Sequence, residues 1–169
     1  MGIDYAGAGG NLTASSGDWM YQWGMDGGSA DITGNNVTLF AVYGIGVSGG
    51  LEIDANTLTA SNSTANQIQL TDTSGGLTVD YAYSPGYVQL TTQNAGMVVD
   101  FAYGANVYLY SDYGIAVDQV VAPTGTVVLS AGPSSSITQS VVDAFTDVYG
   151  VNINLIAGAG IGSDGNGLQ

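Results

Sequence analysis

The chain has 169 residues, of which 14 are acidic and none is lysine, arginine, histidine or cysteine, so that its formal charge is −14. Phosphate recognition needs lysine or arginine, whereas zinc, thiol and Ser-His-Asp chemistry need histidine or cysteine. The composition therefore argues against nucleic-acid binding and leaves carboxylate, phenol, hydroxyl and amide groups for any chemistry.

The residue types indicate an all-β fold. Valine, isoleucine, threonine and tyrosine favour strands, while asparagine, aspartate, serine and the 27 glycines favour turns. The helix formers lysine and arginine are absent, and Glu52 is the only glutamate. No stretch approaches the apolar length of a membrane helix, so we expect no membrane insertion. Residues 1–4 also lack the charged and apolar regions of a signal peptide.

In chain order, residues 1–30 predict a less regular N-terminal coil, in which 11–13 (NLT) is a weak copy of a later pattern. The next copy is 36–39 (NVTL), followed by 44–46 (GIG). We take Leu39 as equivalent to Leu70, which lies 31 residues further on. That interval corresponds to one repeat plus an insertion of about 11 residues near 48–65.

The repeat is clearest in the centre of the chain. Residues 66–85 (NQIQLTDTSGGLTVDYAYSP) and 86–105 (GYVQLTTQNAGMVVDFAYGA) align without gaps and are identical at eight positions. Later segments continue the pattern, and its leucines are spaced by 20, 19 and 20 residues: Leu70, Leu90, Leu109 and Leu129. Each unit predicts two short strands separated by polar turn residues.

The segment 134–150 is a second insertion with two interpretations. Its apolar residues fall at helical spacing, but its β-branched residues favour a strand or a loop, which we prefer to a helix. The last copy is 152–155 (NINL) followed by 160–162 (GIG), and the chain ends within it. We therefore expect either a fragment of a longer protein or an open end that stacks on other copies.

These repeats predict a single β-solenoid segment over residues 1–169, with a repeat-bearing core at 31–169 and about 20 residues per coil. One strand pair cannot form a core, whereas stacked coils cover one another's apolar faces. About six coils at about 4.8 Å give a rod of about 30 Å.

Three aspartates, Asp80, Asp100 and Asp118, fall at equivalent positions of successive coils. Stacked carboxylates repel one another unless a cation lies between them, so one interpretation is a Ca²⁺-binding ladder. The other is that each side chain points to solvent at a turn and caps backbone amides. We expect no other cofactor and no catalytic residues.

Four aromatic residues are placed in the same two central coils: Tyr81, Tyr83, Phe101 and Tyr103. An exposed aromatic stripe could bind sugar rings or join neighbouring filaments. The alternative is that the rings stack between coils and stabilise the solenoid itself.

Several segments resemble the β-helical repeats of filamentous-haemagglutinin-type adhesins, which are large secreted bacterial surface proteins. They include GNNVTLFAVYGIG, SGGLEIDANTLTA, NQIQLTDTSGGLTV and NINLIAGAGIGSDGNGLQ, and the resemblance covers most of residues 31–169. It implies a right-handed parallel β-helix at the bacterial cell surface or outside the cell, and it implies no catalytic residues.

We therefore expect a non-catalytic structural segment of an extracellular adhesin or surface filament. Its expected partners are neighbouring solenoid repeats, other copies of itself, or a host or matrix glycan. One alternative is a self-stacking filament subunit whose assembly Ca²⁺ assists. Another is a carbohydrate-active β-helix enzyme that uses paired aspartates.

Overall fold

In a computed structural model, which describes residues 1–23, 29–47, 49–162 and 168–169, the chain is a parallel β-solenoid of about 7 turns. Each turn takes about 21 residues, which confirms the predicted all-β solenoid and adds about one coil to the expected six. The right-handed sense of the coil stays a prediction. The described residues contain strands and no helix, and so no helix among them could cross a membrane.

Sixteen strands lie in the described part of the chain. They are β1 Gly2–Ile3, β2 Ala6–Gly7, β3 Asn11–Ser16, β4 Trp19–Gln22, β5 Ile32–Ala41, β6 Gly44–Ile45, β7 Leu51–Asn62, β8 Gln67–Asp72, β9 Leu77–Tyr83, β10 Tyr87–Thr92, β11 Met97–Tyr103, β12 Asn106–Ser111, β13 Ile115–Ala131, β14 Ser136–Gln139, β15 Val148–Ile156 and β16 Gly160–Ile161. All of their pairings are parallel, and each joins residues one coil apart.

The strands form two runs that enclose the core. The first run passes from β1 through β4, β6, β8, β10 and β12 to β13, and the second returns from β13 through β11, β9, β7 and β5 to β2. The long strand β13 belongs to both runs because its first half pairs with β11 and its second half pairs with β12. Each central coil thus contributes paired backbone to both runs.

The core consists of inward side chains that stack in columns. In the first run the columns are Ile68, Val88, Val107 and Val127, and beside them Leu70, Leu90, Leu109 and Leu129, all of them buried. This register confirms the predicted spacing of the four leucines. Burying an aliphatic side chain of this size contributes about 1.5–3 kcal/mol, so the columns dominate the stability of the coil.

The predicted equivalence of Leu39 with Leu70 is wrong. Leu39 pairs with Ala60 in the second run, whereas the residue one coil before Leu70 is Leu51. The segment near 48–65 is not an insertion, because it contains β7, which pairs with β5, β8 and β9. The error arises because strands of both runs alternate buried and exposed residues, so that a four-residue match cannot distinguish them.

The second predicted insertion, 134–150, is strand and loop in agreement with the preferred interpretation. β14 pairs with the first part of β13, and Val148 pairs with Val120 further along the same strand. Residues 140–147 therefore leave the coil between two paired strands and return to it. This excursion, which we call the 140–147 loop, carries two aspartates.

We predict that Gly86→Ala destabilises the coil corner that precedes β10. A Cβ atom at Gly86 would lie 1.8 Å from the carbonyl oxygen of Asn66 in the previous coil, so the backbone has to shift. We expect the free energy of unfolding to fall by about 1–3 kcal/mol, measured by urea denaturation. Gly17→Ala is the matched control, because a Cβ atom at Gly17 would meet no heavy atom of another segment within 4 Å. Equal midpoints for the two variants would contradict the prediction.

Candidate functional site

The three aspartates of the predicted ladder occupy one bend of the second run. They follow Val79, Val99 and Val117, which are buried and paired in register between β9, β11 and β13. The bend turns the next side chain outward, so that Asp80 and Asp100 are exposed and Asp118 is half-buried. The register places them in successive coils, and their action as a Ca²⁺ ladder stays a prediction.

Asp118 has closer acidic neighbours on the 140–147 loop. One carboxylate oxygen each from Asp118, Asp143 and Asp147 lie within 4.8 Å of one another. We call these three residues the Asp118 cluster. Sequence reasoning missed Asp143 and Asp147, although the loop joins β14 to β15 beside the bend that carries Asp118.

Backbone hydrogen bonds hold the 140–147 loop in place. The N–H of Val120 donates to the carbonyl oxygen of Asp147 at 2.7 Å, which ties the loop to β13. The N–H of Gln169 donates to Asp147 Oδ2 at 2.7 Å, and the N–H of Asp147 donates to the Gln169 oxygen at 2.9 Å. Asp143 Oδ1 accepts from the N–H of Phe145 at 2.8 Å. The cluster is therefore positioned by main-chain contacts on two sides.

The electrostatic environment of Asp118 reflects these neighbours. Burial raises the pKa of Asp118, and the carboxylates of Asp143, Asp100 and Asp147 raise it further. The sequence has no lysine, arginine or histidine, so no side chain of this chain can neutralise the cluster. A cleft lined by Asp118, Gln119, Asp143 and Phe145 connects this part of the surface to solvent.

The four predicted aromatic residues stack on one another across two coils. Tyr81 lies over Phe101 and Tyr83 over Tyr103, each pair with ring centroids 5.2 Å apart and interplanar angles of 10° and 16°. Tyr81 and Tyr83 are also neighbours within one coil, at 6.2 Å. This geometry stabilises adjacent coils by about 0.5–1.5 kcal/mol per ring pair. Binding of a glycan to this patch stays a prediction.

The aromatic patch is confined to these two coils on its C-terminal side. Val121 is the residue paired with Tyr103 in the next coil, and Gln119 is paired with Phe101. The ladder therefore does not continue as a stripe along the rod in that direction. A sugar-binding platform of this kind would consist of two rows of rings one coil spacing apart, with centroids separated by 5.2 Å.

A different carboxyl group, that of Asp72, is enclosed in the core at the end of β8. Its side chain is fully buried, Oδ1 accepts a hydrogen bond from the N–H of Ala55 at 3.2 Å, and Oδ2 has no hydrogen-bond partner among the described residues. Burial raises the pKa of Asp72 from 3.8 to about 7; the Ala55 N–H opposes the rise and the Asp54 charge adds to it. Asp72 is therefore a titratable structural group near neutral pH.

The last described coil is only partly covered on one side. Within the described residues, β15 pairs with β13 and β16 pairs with β14, each along one edge. At the start of the other edge of β15, the N–H of Val148 donates to the Gln169 oxygen at 3.2 Å, and Leu168 packs against the core. Ile153 belongs to the same inward column as Val127, yet Ile153 is 48% exposed whereas Val127 is fully buried. Ile161, in the column of buried Ile137, is 50% exposed. The described end of the rod thus presents both unpaired backbone and core-type side chains.

Comparison of the chain with protein-family models, with curated proteins and with solved structures gives no match. Functional inference accordingly depends on the coil, its uncovered edge and the side chains at the bend.

Proposed function

We propose that this chain is a non-catalytic structural segment of an extracellular adhesin or surface filament, with further coils stacked on its open edge. The observation that carries the proposal is the exposure of the last described coil, where β15 and β16 have one described partner strand each and residues 168–169 contact only the start of β15. Parallel strands in the same register would pair this edge and bury Ile153 and Ile161, each of which is the last described residue of its own inward column.

The chemistry of the surface supports an architectural role. The fold is held by aliphatic columns, parallel ladders and aromatic stacking, none of which depends on a charged partner. The resemblance of the repeats to filamentous-haemagglutinin-type adhesins supports an extracellular or cell-surface location. Neighbouring repeats are the partners for the edge, and a host or matrix glycan is the partner we propose for the aromatic patch.

The negative charge of the chain should make stacking between copies depend on ionic strength. Each copy carries a formal charge of −14, so end-to-end contact brings like charges together. Salt shortens the range of this repulsion to about 8 Å at physiological ionic strength and about 3 Å at 1 M. Stacking is therefore expected to increase with ionic strength.

Electron microscopy of the purified chain over a range of NaCl concentrations tests the proposal. Single solenoids should appear as rods of about 35 Å, since about 7 turns rise by about 4.8 Å each. Longer filaments at high salt, lost in Ile153→Asp but not in Val142→Asp, would identify the chain as a stacking subunit. Uniform single rods at every NaCl concentration would contradict stacking between copies of this chain. Cleavage of a glycan that is lost in Asp100→Asn would contradict the non-catalytic role.

A further inference from the structure

The Asp118 cluster combines three carboxylates with an environment that offers them no positive side chain. One oxygen each from Asp118, Asp143 and Asp147 lie within 4.8 Å of one another. The α-amino group is engaged elsewhere, donating to the carbonyl oxygen of Trp19 and to Ser16 Oγ. We propose that these three aspartates form a binding site for one Ca²⁺ ion that fastens the 140–147 loop to β13.

A second observation points to a ligand at this place. Asp147 is fully buried, and its Oδ1 has no hydrogen-bond partner among the described residues. Its Oδ2 is already occupied by the N–H of Gln169. A buried carboxylate oxygen without a donor is costly, because its hydration has been removed and nothing replaces it. A cation between the three carboxylates supplies the missing interaction.

The ligand set suits Ca²⁺ better than Mg²⁺, because Ca²⁺ tolerates irregular geometry and Mg²⁺ usually keeps several of its waters. Oxygen ligands lie about 2.3–2.6 Å from Ca²⁺, so ligands on opposite sides of the ion are about 4.6–5.2 Å apart. For Mg²⁺ the corresponding separation is about 4.0–4.2 Å, and its octahedral geometry is strict. Oxygens that all lie within 4.8 Å of one another are inside the span of one Ca²⁺ ion, whose flexible geometry suits carboxylates supplied by two separate elements.

The site joins β13 to a loop that backbone hydrogen bonds already attach to β13 at both of its ends, at Ser140 and at Asp147. Asp118 belongs to β13, whereas Asp143 and Asp147 belong to the 140–147 loop. Ser140 begins this loop, and its Oγ is buried without a hydrogen-bond partner in the described residues. The Ser140 N–H donates to the carbonyl oxygen of Val117 at 2.8 Å, which places this hydroxyl beside the residue preceding Asp118. Water reaching the adjacent cleft can complete the coordination shell.

Isothermal titration calorimetry of the whole chain with CaCl₂ tests this inference. The buffer holds about 150 mM NaCl, so that diffuse attraction to the charge of −14 is screened. We expect one saturable site per chain with a dissociation constant of about 0.1–1 mM, as in extracellular Ca²⁺ modules. Ca²⁺ should also raise the melting temperature, and MgCl₂ should bind more weakly.

Three charge-matched variants separate this cluster from diffuse binding and from the ladder of Asp80, Asp100 and Asp118. Asp143→Asn and Asp147→Asn should weaken binding about tenfold or more, whereas Asp80→Asn should change it less than about twofold. Circular dichroism establishes that each variant is folded, and Asp143, being half-buried in the loop, keeps the test valid if Asp147→Asn unfolds. Absence of a saturable site in the parent chain, or equal weakening by Asp80→Asn, would overturn the proposal.

Discussion

Leu90→Ala is expected to lower the free energy of unfolding by about 3–5 kcal/mol, which is the largest effect we predict for a single substitution. Leu90 is fully buried in β10, between Leu70 of the preceding coil and Leu109 of the following one. Truncation removes contacts with both neighbours and leaves a cavity that the paired backbones on either side cannot close. Urea denaturation followed by circular dichroism measures the loss.

Leu155→Ala provides a matched control in the same column. Leu155 is paired with Leu129 in the last described coil and is only partly buried against the core. The same atoms are removed, but solvent can fill the space that they leave, so we expect less than about half of the Leu90→Ala effect. Equal losses for the two variants would show that the end coil is covered in solution.

The free energy of unfolding is expected to fall as the pH rises from about 4 to about 7, because the buried carboxyl group of Asp72 holds a proton that the unfolded chain releases over this range. The pKa of Asp72 is raised from 3.8 to about 7 in the folded chain. Between these values the folded chain retains a proton that the unfolded chain has lost, so folding is favoured at the acidic end. Above about pH 7 both states are ionised and the full cost of burying the charge remains.

Asp72→Asn should remove this part of the pH dependence. At about 1.4 kcal/mol per pKa unit, a rise of about three units corresponds to at most about 4 kcal/mol at pH 8. The asparagine keeps an oxygen acceptor for the Ala55 N–H, so the variant should be more stable than the parent at pH 8 and nearly equal to it at pH 4. Chemical denaturation at several pH values gives both curves. Exposed Asp4→Asn removes the same formal charge, and it should leave the slope almost unchanged.

The register of the central coils could be predicted from sequence because a strand has only two faces. A period of about 20 residues that keeps Leu70, Leu90 and Leu109 equivalent also keeps their neighbours on the same face. The prediction failed at Leu39, where the same alternation occurs in a strand of the other run. Two strands of one coil share the same local pattern, so only long matches establish which run a segment joins.

The candidate sites were harder to predict, since they depend on where the chain departs from the repeat. Asp80, Asp100 and Asp118 could be aligned because they follow equivalent buried valines. Asp143 and Asp147 lie in a loop with no repeated counterpart, and their approach to Asp118 depends on the path of that loop. The aromatic stacking of Tyr83 on Tyr103 followed directly from the register.

The sequence analysis did not single out Asp72, although it follows Ile68 and Leu70 at alternate positions of β8 and so lies on their buried face. Its aligned residue in the next coil is Thr92, and the following one is Ser111, both small polar residues that are also buried. These hydroxyls bond each other at 3.0 Å, whereas the carboxyl has a single backbone donor among the described residues. Alternation places all three side chains on the inward face, but the sequence does not show which of them lacks polar partners there.

The open edge of β15 and β16 also bears on how such an object acquires its size. A parallel coil that covers this edge presents, on its far side, a new edge with the same register and the same inward columns. Adding a coil would therefore leave a new free edge of the same kind. A closed barrel differs, because its final strand pairs on both sides and leaves no free edge. The residues of one coil determine the cross-section of the rod, but they do not determine how many coils the rod contains. If copies stack as proposed, the length of the assembly would be limited by something other than the repeat, such as a dissimilar cap or mutual repulsion.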